Sequence, residues 1–275
     1  MEVGRLLLKQ GHEVFGVRRI SSGQSELVVA GIKPLLLDLT NPEALRQIPG
    51  RFDWVVNTAA AGRGGGLSEY QQVYLEGTRR IVEWLEAAPP RKYVYTSSTG
   101  VYAQNDGSWV NETSPTEPAN PTSQVLVQTE QLLLSAWRED QVPAVILRVA
   151  GIYGPGRGYA LNQYLTGQAR LEGRGERIMN MIHRDDVAGV IVAALERGRP
   201  GEIYNAVDEE PVTQADFYAW LSQKLGKPMP PSAPADETVA RQRGVTNKRI
   251  SNQKLKAELN YVFKYPTFRE GLIIR

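Results

Sequence analysis

The sequence predicts a doubly wound α/β domain on a parallel sheet, with a smaller lobe contributed by its C-terminal part. Three observations lead there. Short apolar runs alternate with stretches of helical period through the first half of the chain, the pattern of consecutive βαβ units. Punctuation by glycine, proline and capping residues falls between those runs rather than within them. At 275 residues and 41% hydrophobic content the chain can bury one large core, or a large domain with a smaller appended lobe.

Each element follows from local pattern. Met1 to Gln10 reads as a helix with Val3, Leu6 and Leu7 on one face, closed by Gly11 just past its end. His12 to Val17 and Lys33 to Leu37 read as strands, and Asn41-Pro42 caps a short helix with proline at its first position. Trp54 to Thr58 and Tyr93 to Thr96 are two further buried strands. A long helix through Tyr74, Ile81 and Leu85 separates them, and Pro89-Pro90 ends it. A helix from about Gln124 to Trp137 precedes the strand Ala144 to Val149, and Glu202 to Asn205 is a last short strand. Thr213-x-x-Asp216 and Ser251-x-x-Lys254 open later helices, with the proline-rich linker Pro228 to Pro234 between them.

Composition narrows the function. Lys+Arg of 32 against Asp+Glu of 30 leaves a net charge of +2, so nothing calls for nucleic acid or an anionic membrane, and a small-molecule substrate is expected. The chain has no cysteine and only two histidines, His12 and His183, which argues against disulfides and against a metal site. No apolar run is long enough for a bilayer and no signal-peptide pattern opens the sequence, so a cytoplasmic protein is expected.

From the fifth strand position onward, a set of motifs occurs in a telling order. Tyr95-Thr96-Ser97-Ser98-Thr99-Gly100-Val101-Tyr102 comes first, followed by Asn111-Glu112-Thr113-Ser114-Pro115. Leu147-Arg148-Val149-Ala150-Gly151-Ile152-Tyr153-Gly154-Pro155-Gly156-Arg157 and Ile182-His183-Arg184-Asp185-Asp186-Val187-Ala188 come next. Ile203-Tyr204-Asn205, Lys248-Arg249-Ile250-Ser251-Asn252 and Tyr265-Pro266-Thr267-Phe268-Arg269-Glu270-Gly271 complete the series. In these pieces the chain resembles the extended short-chain dehydrogenase/reductase, or NAD-dependent epimerase/dehydratase, family over nearly its whole length. The resemblance implies a Rossmann-like sheet with residues 1–150 as the NAD(P)-binding domain. Residues 151–275 would supply the last strands and a small substrate lobe.

Three departures stand out. The family's Gly-rich phosphate loop sits between the first strand and first helix. Counting back from Gly11-His12-Glu13-Val14 places that loop before Met1, so the loop and its strand are absent and a start upstream of Met1 is expected. The run Gly62-Arg63-Gly64-Gly65-Gly66 follows a later strand and reads as a flexible loop at the mouth of the site rather than a relocated cradle. Second, the family's Tyr-x-x-x-Lys pair is missing. Aligning Glu130-Gln131-Leu132 on the family's helix puts Thr122 or Ser123 at the tyrosine position and Leu126 or Val127 at the lysine position. Tyr153-x-x-x-Arg157 and Tyr265-x-x-x-Arg269 come nearest, but a guanidinium stays charged and cannot store a proton. Third, the second strand position ends Val17-Arg18-Arg19, where an NAD-preferring member carries an acid. Guanidinium there suits a 2′-phosphate, so NADP is the expected cofactor, with NAD as the other option, while two solvated arginines after a strand are an equal reading of Arg18 and Arg19.

The resemblance assigns the remaining candidates. Asp38-Leu39 would contact adenine, Asp38 being equally a turn former, and Ala59-Ala60 would let backbone approach the cofactor near Thr96. Ser98 would polarise a substrate oxygen, with Thr99 or Tyr102 giving the proton, although packing of the Tyr102 ring with its hydroxyl bonded to backbone is the simpler role; Arg157 and His183 would meet the substrate, Arg157 being equally a solvated loop arginine. His183 beside Asp185 and Asp186 also opens a helix, where capping is the simpler role. The expected function is an NAD(P)-dependent epimerase/dehydratase-like reaction on a nucleotide-sugar-like or small carbonyl substrate. The alternative is a non-catalytic NADP- or metabolite-binding sensor on the same fold. An apolar helical face with Ile81, Leu85 and Leu132 would permit a homodimer.

Loss of the Tyr-Lys relay predicts slow oxidation of alcohols or sugars, by the ~10²- to 10⁴-fold that general acid–base catalysis supplies. Steady-state rates across a pH series check it. Robust turnover with a bell-shaped profile would mean that another residue has taken the role.

Overall fold

A computed structural model describes residues 1–21, 23–41, 43–48, 50–62, 64–234 and 246–272. Pro42 and Arg63 lie outside them. Helix α1 (Glu2–Lys9) stops where Gly11 takes a φ of +86°, a backbone state that costs a side-chain-bearing residue strain. Strand β1 (Phe15–Arg18) starts later than the pattern suggested, then come α2 (Gln24–Val29) and β2 (Lys33–Leu36). The short helix expected after Asn41 is a single 3₁₀ turn, Leu45–Gln47.

Strand β3 (Trp54–Asn57) leads to α3 (Leu67–Tyr70), which continues through a π-helical turn at Gln71–Glu76 into α4 (Gly77–Glu86). Strands β4 (Lys92–Ser98) and β5 (Trp109–Val110) precede α5 (Pro121–Asp140). This helix begins three residues ahead of the apolar pattern because Asn120 caps it, accepting from the Thr122 N–H at 3.0 Å, with Pro121 in the first turn. Then come β6 (Ala144–Val149), β7 (Gly151–Tyr153), α6 (Tyr159–Leu165), β8 (Ile178–Met179) and β9 (Met181–His183). Helix α7 (Arg184–Arg197), β10 (Ile203–Ala206), β11 (Val212–Thr213) and α8 (Gln214–Leu225) follow, Thr213 capping α8 through the Asp216 N–H at 3.0 Å. Strand β12 (Arg249–Ile250), α9 (Gln253–Leu259) and α10 (Phe268–Gly271) end the described chain.

The doubly wound sheet is present in two pieces. One is a four-stranded parallel sheet of order β10-β6-β4-β3, and the other is the parallel pair β1-β2. Helix α5 packs on β4 and β6, with α4 beside it, while α7 packs on the same strands, with α1 and α9 against it. Among the described residues no ladder joins β1 to β3. Aromatic contacts span their near ends instead, His12 to Trp54 at 4.6 Å between ring centres and Phe15 to Phe52 at 5.4 Å.

Residues 151–275 contribute to both cores. Tyr204, Val190 and Leu255 join the main sheet core, whereas Tyr153, Tyr164, Met181, Phe217 and Phe268 form a second cluster of their own. The proline-rich stretch is no loose linker over its described part, since Leu171 N–H donates to Pro231 and Ala233 N–H to Leu171. The face expected to pair two copies turns inward. Ile81 and Leu85 are buried in the main core and Leu132 packs against it.

At the centre of the larger sheet lies an ion pair. Arg148 on β6 donates to Glu130 on α5 from Nε and Nη2, the shortest contact being 2.7 Å, with both side chains buried. Ser97 on β4 donates to the same carboxylate at 2.5 Å, and Arg148 Nη1 donates to the Tyr102 hydroxyl at 2.9 Å. Breaking one partner of such a buried pair leaves an uncompensated charge and costs about 3–5 kcal/mol. Arg148→Met is therefore expected to lose about that much stability, and a double variant Arg148→Met/Glu130→Leu to recover part of it. Chemical denaturation of the three proteins checks both.

Candidate active site

A cavity of about 570 Å³ opens between the carboxyl end of β4 and the C-terminal elements. Ser98, Thr99 and Gly100 line it, because β4 ends in a tight turn at Thr99–Val101 that Ser98 caps by accepting from the Gly100 N–H at 3.1 Å. Opposite stand residues from β7 to β8, including Tyr153, Arg170 and Arg177. Arg177 bonds Glu172 at 3.0 Å, and burial lowers its pKa. Lys248 also faces the space, only 4% exposed, and burial pushes its amine down to about 8.

Among the catalytic candidates, Ser98 and Thr99 meet in the cavity and Tyr102 does not. Its ring is fully buried, and its hydroxyl accepts from Arg148 and donates to Asn205 Oδ1 at 2.8 Å. Burial raises its pKa despite the adjacent guanidinium. The residue expected as a proton donor is thus a strut between β6 and β10. The positions aligned with the family's tyrosine and lysine do not line the cavity. Thr122 and Ser123 belong to the N-terminal turn of α5, and Leu126 is fully buried in the core. Tyr153 does line the cavity, but its hydroxyl donates to the Thr267 carbonyl at 3.0 Å.

Both substrate candidates need correction. Arg157 is exposed on the loop after β7 and lies outside the cavity wall. His183 is buried between the rings of Tyr153 and Tyr265, and its Nδ1 accepts from the Asp185 N–H at 3.1 Å, which caps α7. Burial lowers its pKa, against the raising effect of Asp185 and Asp186. Asp186, fully buried, accepts from the Tyr261 hydroxyl and from the Lys264 and Tyr265 N–H groups, so it anchors the tail.

The cofactor candidates line up along the carboxyl ends of the parallel strands. Arg18 ends β1 and Asp38-Leu39 follows β2. Asp38 accepts from the Thr40 N–H and hydroxyl, and the first of these bonds holds its carboxyl below the usual range, so its turn-forming role is present. Leu39 gives its carbonyl to Arg80. Ala59 N–H donates to Asn57 Oδ1, and Thr96 staples β4 to β3 by donating to the Asn57 carbonyl at 3.1 Å. The Gly62 N–H of the Gly-rich run donates to the Glu69 carboxylate at 2.8 Å. A Cβ on Gly65 would lie 2.2 Å from that carboxylate.

The sequence model of the NAD-dependent epimerase/dehydratase family matches residues 2–206. The chain belongs to this family. Protein YeeZ from Escherichia coli K12 is 28% identical across 97% of this chain and 92% of its own length. A conserved protein of unknown function from Silicibacter pomeroyi has a solved structure with a TM-score of 0.78 and 30% identity, covering 98% of this chain and 92% of that one. UDP-glucuronic acid 4-epimerase from Bacillus cereus, solved with UDP-glucuronic acid and NAD, superposes with a TM-score of 0.80. It covers 98% of this chain and 92% of that one at 20% identity, a likeness of fold.

The family's cofactor is matched here in part. Arg18, Asp38 and the Ala59 backbone stand at strand ends where the two nucleoside halves of a dinucleotide would lie. In the glycine run after β3 the Gly62 N–H is already taken by Glu69 rather than left open for a pyrophosphate. The residues that sequence reasoning did not assign are Arg170, Arg177 and Lys248. Lys248 stood in a quoted motif, but it is 146 residues from the Tyr102 carbonyl it bonds, so no local spacing could expose it.

Tyr102→Phe separates strut from acid. It is expected to lower stability by about 1–3 kcal/mol through the stranded Arg148 and Asn205 groups while leaving ligand affinity unchanged. Denaturation and calorimetry on the same preparation check this, and an unchanged melt with lost turnover would return Tyr102 to the chemistry.

Proposed function

We propose that the cavity is the substrate site of an NADP-using epimerase/dehydratase-like reaction, taking a nucleotide sugar or a small carbonyl compound. The carrying observation is the position of Ser98 and Thr99 at the carboxyl end of β4, on the wall of a space of about 570 Å³. That volume lies within the roughly 300–1,000 Å³ of small-molecule sites, and strand carboxyl ends are where open α/β sheets take ligands. Ser98 and Thr99 hydroxyls orient and polarise the substrate oxygen. Arg170 and Arg177 supply a cationic wall for phosphate or carboxylate groups. Arg18 and Arg19 hold the 2′-phosphate, while Asp38, Leu39, Ala59, Ala60 and Thr96 border the rest of the dinucleotide. The bound cofactor would accept and return a hydride. In this reading residues 1–150 are the cofactor half and residues 151–275 add the last strands and the substrate lobe, in a protein of the cytoplasm.

One observation favours a second reading. Helix α5 carries no Tyr-Lys pair, so the same site could bind NADP or a metabolite without turning it over.

Calorimetry with NADP and NAD tests the cofactor. NADP is expected to bind about tenfold or more tightly, the worth of a charge-assisted contact of at least about 1.4 kcal/mol, and Arg18→Ala/Arg19→Ala to erase the difference. Equal affinities would sink the NADP assignment. UDP-glucuronic acid and dTDP-glucose are the probes for the cavity, Ser98→Ala being expected to lose turnover, and binding without turnover in the wild type would select the second reading.

A further inference from the structure

A site that moves protons needs a group able to change its charge, and the cavity wall offers few. Arg170 and Arg177 stay charged. Glu172 is bonded to Arg177, and the Tyr153 hydroxyl is engaged with Thr267. Tyr218 is buried and stacked on Tyr164, with its pKa raised by burial, and Tyr159 is an exposed rim residue. Lys248 remains.

Its placement is rigid. Asn180 accepts from the Ile250 N–H and donates to the Lys248 carbonyl, at 3.0 and 2.9 Å, clamping the segment on both sides of Arg249. Asn247 bonds Gln104, Gly107 and Ile178, and β12 pairs with β5. Arg249 turns away to the Gly107 carbonyl. Lys248 Nζ donates to the Tyr102 carbonyl at 3.0 Å and to Thr246 Oγ1 at 2.8 Å. Both acceptors are neutral oxygens, and among the described residues no carboxylate forms an ion pair with it. The Tyr102 carbonyl belongs to the turn that Ser98 opens, so the amine and the Ser98 hydroxyl are held by one short stretch of backbone.

The count of donors decides what such an amine can do. An ammonium has three N–H groups, and two acceptors leave one for a substrate oxygen. A neutral amine has two N–H groups, which the same two acceptors satisfy, leaving its lone pair directed elsewhere. Each charge state is therefore accommodated without moving the side chain. Burial pushes the amine down to about 8, which brings the neutral form within reach of neutral pH.

We propose that Lys248 Nζ is the proton-transfer group of this cavity, doing the work that α5 does not supply. The proposal rests on the reading of the cavity as a substrate site. In one direction the substrate O–H bond breaks, its electron pair stays on oxygen and the proton forms the third N–H of the ammonium. The carbon-bound hydrogen leaves as hydride to an oxidised nicotinamide. In reverse, the ammonium returns the proton as the carbonyl carbon receives hydride.

The test uses the full chain with ¹³C-labelled lysine. The Cε signal that Lys248→Met removes should titrate near about 8, and a midpoint at the ordinary lysine value of about 10.4 overturns the proposal. Stability gives a second readout. Between those two values the unfolded chain binds a proton that the fold does not, so wild-type stability relative to Lys248→Met should rise with pH across that window. Turnover of UDP-glucuronic acid or dTDP-glucose should fall about 10²- to 10⁴-fold in Lys248→Met, with loss of the corresponding ionisation from the pH profile. Lys248→Arg keeps a cation that can bond Tyr102 and Thr246 but cannot release a proton, so a purely structural lysine would be rescued by it. A wild-type rate and profile in that variant overturns the proposal. Failure of the wild type to bind either nucleotide sugar overturns the nucleotide-sugar reading of the cavity on which this rests, whereas binding with no Lys248-dependent ionisation overturns only the role of the amine.

Discussion

The buried Arg148–Glu130 pair is the constraint around which the site is arranged. Two charges removed from water must be matched by each other and by further hydrogen bonds, or the fold loses several kcal/mol. Ser97 completes the carboxylate, while Tyr102 and the Glu112 carbonyl complete the guanidinium. These partners come from β4, the turn after it, the loop before α5, α5 and β6. Satisfying one ion pair thus fixes the carboxyl end of β4, and with it Ser98 and Thr99. Asn205 extends the web to β10 and, through the Ser251 carbonyl, to the segment that carries Lys248.

That web also explains why a tyrosine so close to Ser98 is withdrawn from the cavity. Its hydroxyl has one proton to donate and accepts one bond, and Asn205 and Arg148 take both. The charged groups of the cavity come from the lobe side, through Arg170, Glu172, Arg177 and Lys248, beside the Ser98 and Thr99 hydroxyls of the sheet. Histidine follows the same logic. His183 lies beside a glycine whose added Cβ would fall 2.9 Å from its Nε2, so its outer edge meets backbone rather than ligand.

The two-piece sheet sets a different limit. Strands β1 and β2 keep their register and their covering helices, α2 behind them and α1 against α7. Their carboxyl ends still present Arg18 and Asp38. The glycine run after β3, which could mimic a phosphate cradle, gives its Gly62 N–H to Glu69. An internal carboxylate at that distance competes with any external anion for the same N–H group.

The amino-acid sequence by itself determined the main parallel strands and the long helices between Trp54 and Val149, because burial period, glycine and proline act over a few residues, whereas short elements such as α2, β7 and α6 left no such local signal. It determined the family, because the motifs are contiguous stretches in a fixed order. It also showed that no Tyr-x-x-x-Lys exists, since that pattern is local to one helix turn. Only the tertiary structure decided which polar groups face the cavity. Tyr102, Arg157 and His183 carry suitable chemistry but are directed into a network, solvent and a helix cap, respectively. Lys248 reaches the turn after β4 from 146 residues away. The physical reason is that hydrogen-bond satisfaction and burial are set by groups that meet across the fold, and nothing in the spacing of a residue records which distant partner will claim it.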